Sequence, residues 1–306
     1  MPVSIVRIKR DLDNEIGDAV KEALRLIKFE PKRKRALIKP NLAVPAGQKS
    51  GIVTDARVVS GVVDYLRGKK VEDIFIGESS LLGYDLKKCY EDAGYLELSE
   101  RKNVELINLD NSERAGVKWH FGEVPIPKIA LESCYINMPK MKTHTLTTVS
   151  ISIKNQKGLL SPSDKKRAHK LGLHEPLAHL AKAVKPDLVV VDGIYGLEGN
   201  GPLYGGESKY LGLIVAGFNM ITVDAVCCKV MSIDPKSVKH LKIAQGLGLG
   251  EMEDKILGEN LKMVSTKFER ANESSLEFLG MRIWQNPKAC SLCSNIMGKV
   301  ATLIKK

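Results

Sequence analysis

The segment 138–158, MPKMKTHTLTTVSISIKNQKG, gathers four lysines, one histidine, one asparagine and several hydroxyls around a short apolar run. Ammonium groups that share a cleft make an anion site and depress one another's pKa. A lysine so depressed serves as a general base or as a nucleophile toward a carbonyl. A histidine beside it transfers protons near neutral pH. These residue types point to a small carboxylate or phosphate as ligand, with Lys142, His144 and Lys154 as candidate catalytic groups.

Other apolar runs end in the same kind of residue. Ile38 leads to Lys39 and Asn41, Ile76 to Glu78, Ile136 to Lys140, Lys142 and His144, and Val191 to Asp192. In open α/β sheets ligands sit beyond the carboxyl ends of the strands. Parallel strands would therefore bring Lys39, Asn41, Glu78, Lys142, His144 and Asp192 to one rim. Asn155 closes the element that carries Lys154. The stretch 197–202, LEGNGP, adds Glu198, Gly199 and Gly201, whose backbone N–H groups could face an anion. It has no trailing Lys-Ser/Thr of a P-loop, and QGLGLG at 245–250 follows a helical pattern, the wrong setting for dinucleotide binding.

The elements that must position these groups alternate. Val- and Ile-rich runs predict strands at 3–8, 36–42, 72–77, 104–107, 134–137, 187–192 and 211–216. Apolar residues at helical spacing predict helices at 14–27, 55–66, 86–94, 175–184, 223–231 and 238–246, with Thr54 as an N-cap. The β-α-β-α-β order at the start implies a parallel sheet. Alternation around Gly122 predicts a hairpin within 117–130. The segment 147–154 reads as strand or as helix. SPSDKKRAHK at 161–170 reads as a polar loop and 193–206 as a glycine-rich loop. The expected class is α/β: a mixed, mainly parallel sheet flanked by helices, with an inserted hairpin and long loops, in one domain over 1–306. Its C-terminal extension is 251–306.

With 43% apolar but only 5% aromatic residues, the core must be mostly aliphatic. No apolar run reaches the roughly 18 residues that a membrane span needs, and the first residues turn charged at once, so a cytoplasmic protein is expected. The net charge of +11 favours anionic partners. Nucleic acid ranks last among them, because aromatic and basic residues do not interleave as on an RNA-stacking platform. A charged content of 27% also fits a lysine-rich, thermophile-like surface.

Cys89, Cys134, Cys227 and Cys228 read as reduced core thiols of a cytosolic chain. Cys290 and Cys293 form a CxxC. Zinc or an iron–sulfur cluster needs about four ligands, so a shared site between two chains of a homodimer, a redox pair and two thiols packing a helix all remain open.

Taken together, IKPNL at 38–42, PKMKTH at 139–144, KNQKG at 154–158, His174, VDG at 191–193, EGNGP at 198–202 and VDA at 223–225 resemble the domain-of-unknown-function family 362. The likeness covers about 35–250. It implies that Lys39, Asn41, Lys142, His144, Lys154, Asn155, Asp192, Glu198 and Asp224 are motif positions, without assigning them roles. Members are often described as iron–sulfur centre proteins, some with a cysteine-rich, ferredoxin-like C-terminal segment; this chain has two cysteines there. The first expectation is a cytosolic enzyme that binds a small anionic metabolite. The alternatives are an iron–sulfur (4Fe–4S) or divalent-metal electron-transfer protein using Cys290 and Cys293, and a nucleic-acid-binding protein.

Overall fold

The computed structural model describes residues 1–79, 81, 83–253 and 255–271, and the backbone of 275–278 and 281–284. Its first half alternates: β1 (Val3–Arg7), α1 (Asp13–Leu26), β2 (Arg35–Lys39), α2 (Ala56–Gly68), β3 (Asp73–Glu78), α3 (Leu86–Asp92), α4 (Tyr95–Lys102) and β4 (Glu105–Asn108). A hairpin follows, β5 (Arg114–Trp119) with β6 (Gly122–Pro127), then α5 (Lys128–Glu132) and β7 (Cys134–Asn137). Next come β8 (Lys140–His144), β9 (Thr148–Ser150), α6 (Ser152–Asn155), α7 (Pro162–Lys170), α8 (His174–Ala183), β10 (Leu188–Gly199) and β11 (Gly206–Gly217). The chain continues through α9 (Met220–Val230), α10 (Lys239–Gly246), β12 (Ile256–Gly258) and α11 (Leu261–Val264), and β13 (Ser275–Phe278) pairs with β14 (Met281–Trp284).

The main sheet runs β12-β1-β11-β10-β7-β2-β3-β4, with β8 and β9 attached to β10. The pairings β10–β7, β7–β2, β2–β3 and β3–β4 are parallel, and only β11 and β9 run against the rest. This is the mixed, mainly parallel sheet expected from the sequence.

Period-two burial builds a core on each face. On β10, Leu188 and Val190 join the side chains of α1 and α2, while Val189 and Val191 join those of α8 and α9. Strands buried on both faces read as continuous apolar runs, as LVVV does here.

Several local expectations are corrected. The 161–170 segment is helix α7: the Ser161 hydroxyl accepts from the backbone N–H of Asp164, and Pro162 occupies the first turn. Only Ala168 of α7 is buried, so it lacks the apolar stripe that periodicity detects. The glycine-rich 193–206 stretch is not a loop at its start, because β10 continues to Gly199. Its glycines admit close neighbours: a Cβ on Gly193 would lie 3.0 Å from the Leu213 carbonyl, and one on Gly196 would lie 2.7 Å from the Phe268 ring. The cap of α2 is Asp55, whose carboxylate accepts from Arg57 N. Thr54 instead donates to the Met138 carbonyl at 2.9 Å and accepts from Asn41 N.

Candidate functional site

The lysine-rich segment folds as a flap against the long strand β10. β8 leaves β7 and pairs with β10, matching Lys140 to Asp192 and Lys142 to Leu197. The chain turns at 145–147 and returns as β9, which sets Ser150 opposite Lys142. Both readings of 147–154 therefore hold in part: a short strand, then the single helical turn of α6. Asp224 clamps that turn, accepting from the N–H groups of Ser152 and Ile153 and from the Ser152 hydroxyl. Burial pushes its pKa up to about 7, opposed by those same hydrogen bonds.

After α6 the residues alternate in role. Asn155 accepts from Lys39 Nζ at 3.4 Å and Asn41 Nδ2 at 3.2 Å, and donates to Asn137 at 2.8 Å. Gln156 turns into the core, bonding the Tyr135 hydroxyl and the Val184 carbonyl. Lys157 lies 2.6 Å from His169 Nε2 on α7. Gly158 crosses above the Lys39–Glu78 ion pair, and its carbonyl accepts from Ser79.

These elements enclose a cleft of about 90 Å³ at the carboxyl ends of β2 and β3. Lys39, Asn41, Glu78, Ser79, Lys142, Ser150, Lys154, Asn155, Lys157, Gly158 and Lys165 line it, with Pro202 and Leu203 across the mouth. The crossovers reverse here, since β2 leads outward to β3 while β7 stands on its other side. Ligands of open α/β sheets bind at such a switch point. A larger hollow of about 400 Å³ lies near the amino end of β10, where Lys32 and Lys185 are balanced by Glu30 and Asp187.

Five lysines line the cleft, and Glu78 is the carboxylate among the lining residues. Lys39 is fully buried, 2.9 Å from Glu78; burial lowers its pKa and Glu78 raises it again. Lys165 bonds Ser79 at 2.7 Å and Asp110 at 3.4 Å. Lys142 has no carboxylate, donating to Asn41 Oδ1 at 2.6 Å and to the Ile52 carbonyl at 2.8 Å. Burial, with Lys140 behind it, pulls its pKa down to about 7. Lys154 has no hydrogen-bond partner among the described residues, and desolvation, then Lys157 and Lys142, hold it well below the usual lysine range.

Other expected site residues stand back from the cleft. Asp192 and Lys140 form an ion pair at 2.7 Å with both side chains fully buried, and Asp192 also accepts from the backbone N–H of Asp55 and Ile194. His144 is 1% exposed; its Nδ1 accepts from the N–H groups of Leu146 and Thr147, so its proton sits on Nε2. Burial and the surrounding lysines keep that ring neutral. Glu198 pairs with Lys209 on β11 and accepts from Glu269 N, while Gly199 and Gly201 turn the β10–β11 hairpin, which reaches the cleft through Pro202.

Lys157 and Lys165 were absent from the candidates, as was His169, whose pKa burial lowers to about 3 so that it accepts from Lys157. A signal for Lys165 and His169 existed, because Ser161-Pro-Ser-Asp164 is a helix start of the capping-box kind.

Gly158→Ala is expected to disable the site. A Cβ there would lie 2.5 Å from Lys39 Nζ and 2.5 Å from Glu78 Oε1, which are buried and paired with each other, so the ion pair must shift to admit it. Overpacking of this kind costs about 1–3 kcal/mol. Chemical denaturation should show that loss, and oxyanion titration should show binding reduced or gone.

Cys89, Cys134, Cys227 and Cys228 are buried free thiols, as expected, and burial raises the pKa of each. Cys290 and Cys293 lie outside the described residues. Among the described residues no cluster of three or more His, Cys, Asp or Glu side chains is disposed to hold a metal. Nor is any described helix long and apolar enough to cross a membrane.

The family model described as "Domain of unknown function (DUF362)" matches residues 36–229, which contain every lysine of the cleft. A thylakoid-associated protein of Synechocystis sp. is 29% identical over 227 residues, covering 70% of this chain and 68% of the relative.

Proposed function

The chain belongs to this domain-of-unknown-function family, and from the cleft that the matched segment builds we propose that it is an enzyme acting on a small anionic metabolite. One observation carries the reading: five lysines converge on the cleft, and of these Lys142 and Lys154 have no carboxylate partner among the described residues. Buried cations without counter-charge are costly, and an anion is the ligand that relieves them. The volume of about 90 Å³ suits a phosphate or carboxylate group with little else at its inner end.

In this reading Lys39, held by Glu78, and Lys165, held by Ser79 and Asp110, are fixed positive poles. Asn41, Asn155 and Ser150 supply hydrogen bonds at the wall. Lys142 is the general base: with a pKa near 7 it is half deprotonated at neutral pH, the condition under which a base works best. His144 acts through the turn that it braces, which holds β8 and β9 together. Asp192 acts the same way, by fixing Lys140 and the start of α2.

Isothermal titration with sulfate and with inorganic phosphate tests the reading. Saturable binding of one ion per chain is expected. A hydrogen bond to a charged group contributes about 1.5–3 kcal/mol, so Lys142→Ala or Lys154→Ala should weaken binding by roughly tenfold or more. A wild-type protein that binds neither ion at millimolar concentration sinks the proposal. We further place the protein in the cytosol. Recovery with the membrane fraction would move it toward the association that its relative's name carries.

A further inference from the structure

Each cleft lysine but one is held by the protein. Lys39 contacts Glu78, Lys142 contacts Asn41 and Ile52, Lys157 contacts His169, and Lys165 contacts Ser79 and Asp110. Lys154 lines the same cleft, keeps part of its surface exposed, and has no acceptor on its Nζ among the described residues. Its backbone is nonetheless fixed, because Asp224 grips the two N–H groups that precede it. An anchored backbone with an unengaged amine at the cleft is an arrangement that suits a covalent nucleophile.

We propose that Lys154 condenses with the carbonyl carbon of a small anion held in the cleft, so that the substrate class is an anionic aldehyde or ketone. This rests on the anion-binding reading above. The Nζ lone pair attacks the carbonyl carbon, and the C–O π pair moves to oxygen, which takes a proton. Nitrogen then gives up a proton, the hydroxyl departs with a proton as water to leave C=N–H⁺, and loss of that last proton gives the C=N bond. Amine and carbonyl become imine and water, and nothing is oxidised or reduced. Burial, and then Lys157 and Lys142 beside it, favour the uncharged amine before attack, as desolvation and a neighbouring cation do for nucleophilic lysines. Lys142 stands ready to move the protons.

The test uses glyoxylate and pyridoxal phosphate as carbonyl probes on the full chain, with borohydride to trap the imine, followed by intact mass and peptide mapping. One adduct per chain is expected, on the peptide carrying Lys154 and suppressed by excess inorganic phosphate. Lys154→Arg should cut its yield at least about tenfold, while exposed Lys166→Arg should leave it unchanged. Thermal unfolding of each variant shows that it is folded, and Lys154→Gln serves if the arginine variant is not. Labelling scattered over many lysines and indifferent to phosphate overturns the inference, as does a single adduct mapped to another residue. Phosphate binding without any trapped adduct refutes Lys154 as nucleophile and leaves the anion site standing. Absence of phosphate binding itself refutes the site.

Discussion

Asp192→Asn should destabilise the protein by about 3–5 kcal/mol, the usual cost of removing one partner of a buried ion pair. Its carboxylate and Lys140 are 2.7 Å apart and both side chains are fully buried. The amide keeps the shape but not the charge, and it must turn an N–H₂ toward a neighbour that now also donates. Of the neighbours, Asp55 N and Ile194 N already point donors at this group. Denaturant unfolding followed by far-UV circular dichroism measures the loss. A paired replacement, Lys140→Met with Asp192→Leu, should recover only part of it: no charge is stranded, but the N–H groups of Asp55 and Ile194 lose their acceptor. Asp192 does not line the cleft, so folded Asp192→Asn protein should still bind sulfate. Stability unchanged by Asp192→Asn would mean that the pair is not maintained in solution.

The second large effect is on pH. Burial holds Lys142 at a pKa of about 7 and Lys154 well below its ordinary value. A bound oxyanion favours the ammonium form of each, so binding draws protons from solution. Sulfate affinity should therefore fall as pH rises above 7, by up to about tenfold per pH unit for each proton taken up. Sulfate suits the measurement because it does not itself titrate there. Titration calorimetry in buffers of different ionisation enthalpy should show net uptake, and Lys142→Met should take up less. Binding independent of pH between 6 and 9 would falsify the assignment. The same residue shapes stability. Its folded pKa lies below its unfolded one, so between about 7 and 10.5 the unfolded chain holds more protons. Stability gains from Lys142 as pH rises across that window, by an amount that 1.36 kcal/mol per pKa unit bounds at roughly 5 kcal/mol.

The sheet was legible because both faces of its strands are buried, so LVVV and ALIK announce themselves without knowledge of their neighbours. The rim was legible for the same reason, and Lys39, Asn41, Glu78 and Lys142 do meet there. What single-strand patterns cannot tell is which strand-end group faces the cleft and which faces the next strand. That choice separates Lys142 from Lys140 and sends Asp192 inward, and it depends on the β8–β10 register. His144 illustrates the limit. Its neighbours in sequence suggested chemistry; what they could not show is that its Nδ1 accepts from the N–H groups of the turn at Leu146 and Thr147. Helix α7 was missed because Lys165 and His169 hold it to the cleft by polar contacts that leave no apolar period.

The register of β1 has a consequence for how the chain is made. Val3 pairs with Gly217 and Arg7 with Leu213. During synthesis β1 thus waits for a strand that is finished about two hundred residues later, roughly 10–40 s at ordinary elongation rates. Through that interval an apolar strand has neither of its partners, β11 and β12, which is the state most open to pairing with the wrong one. Residues 36–229, by contrast, hold β2, β3, β4, β7 and β10, which pair among themselves. The half of the sheet that carries the lysines can thus close early, with β1 stitched on afterwards.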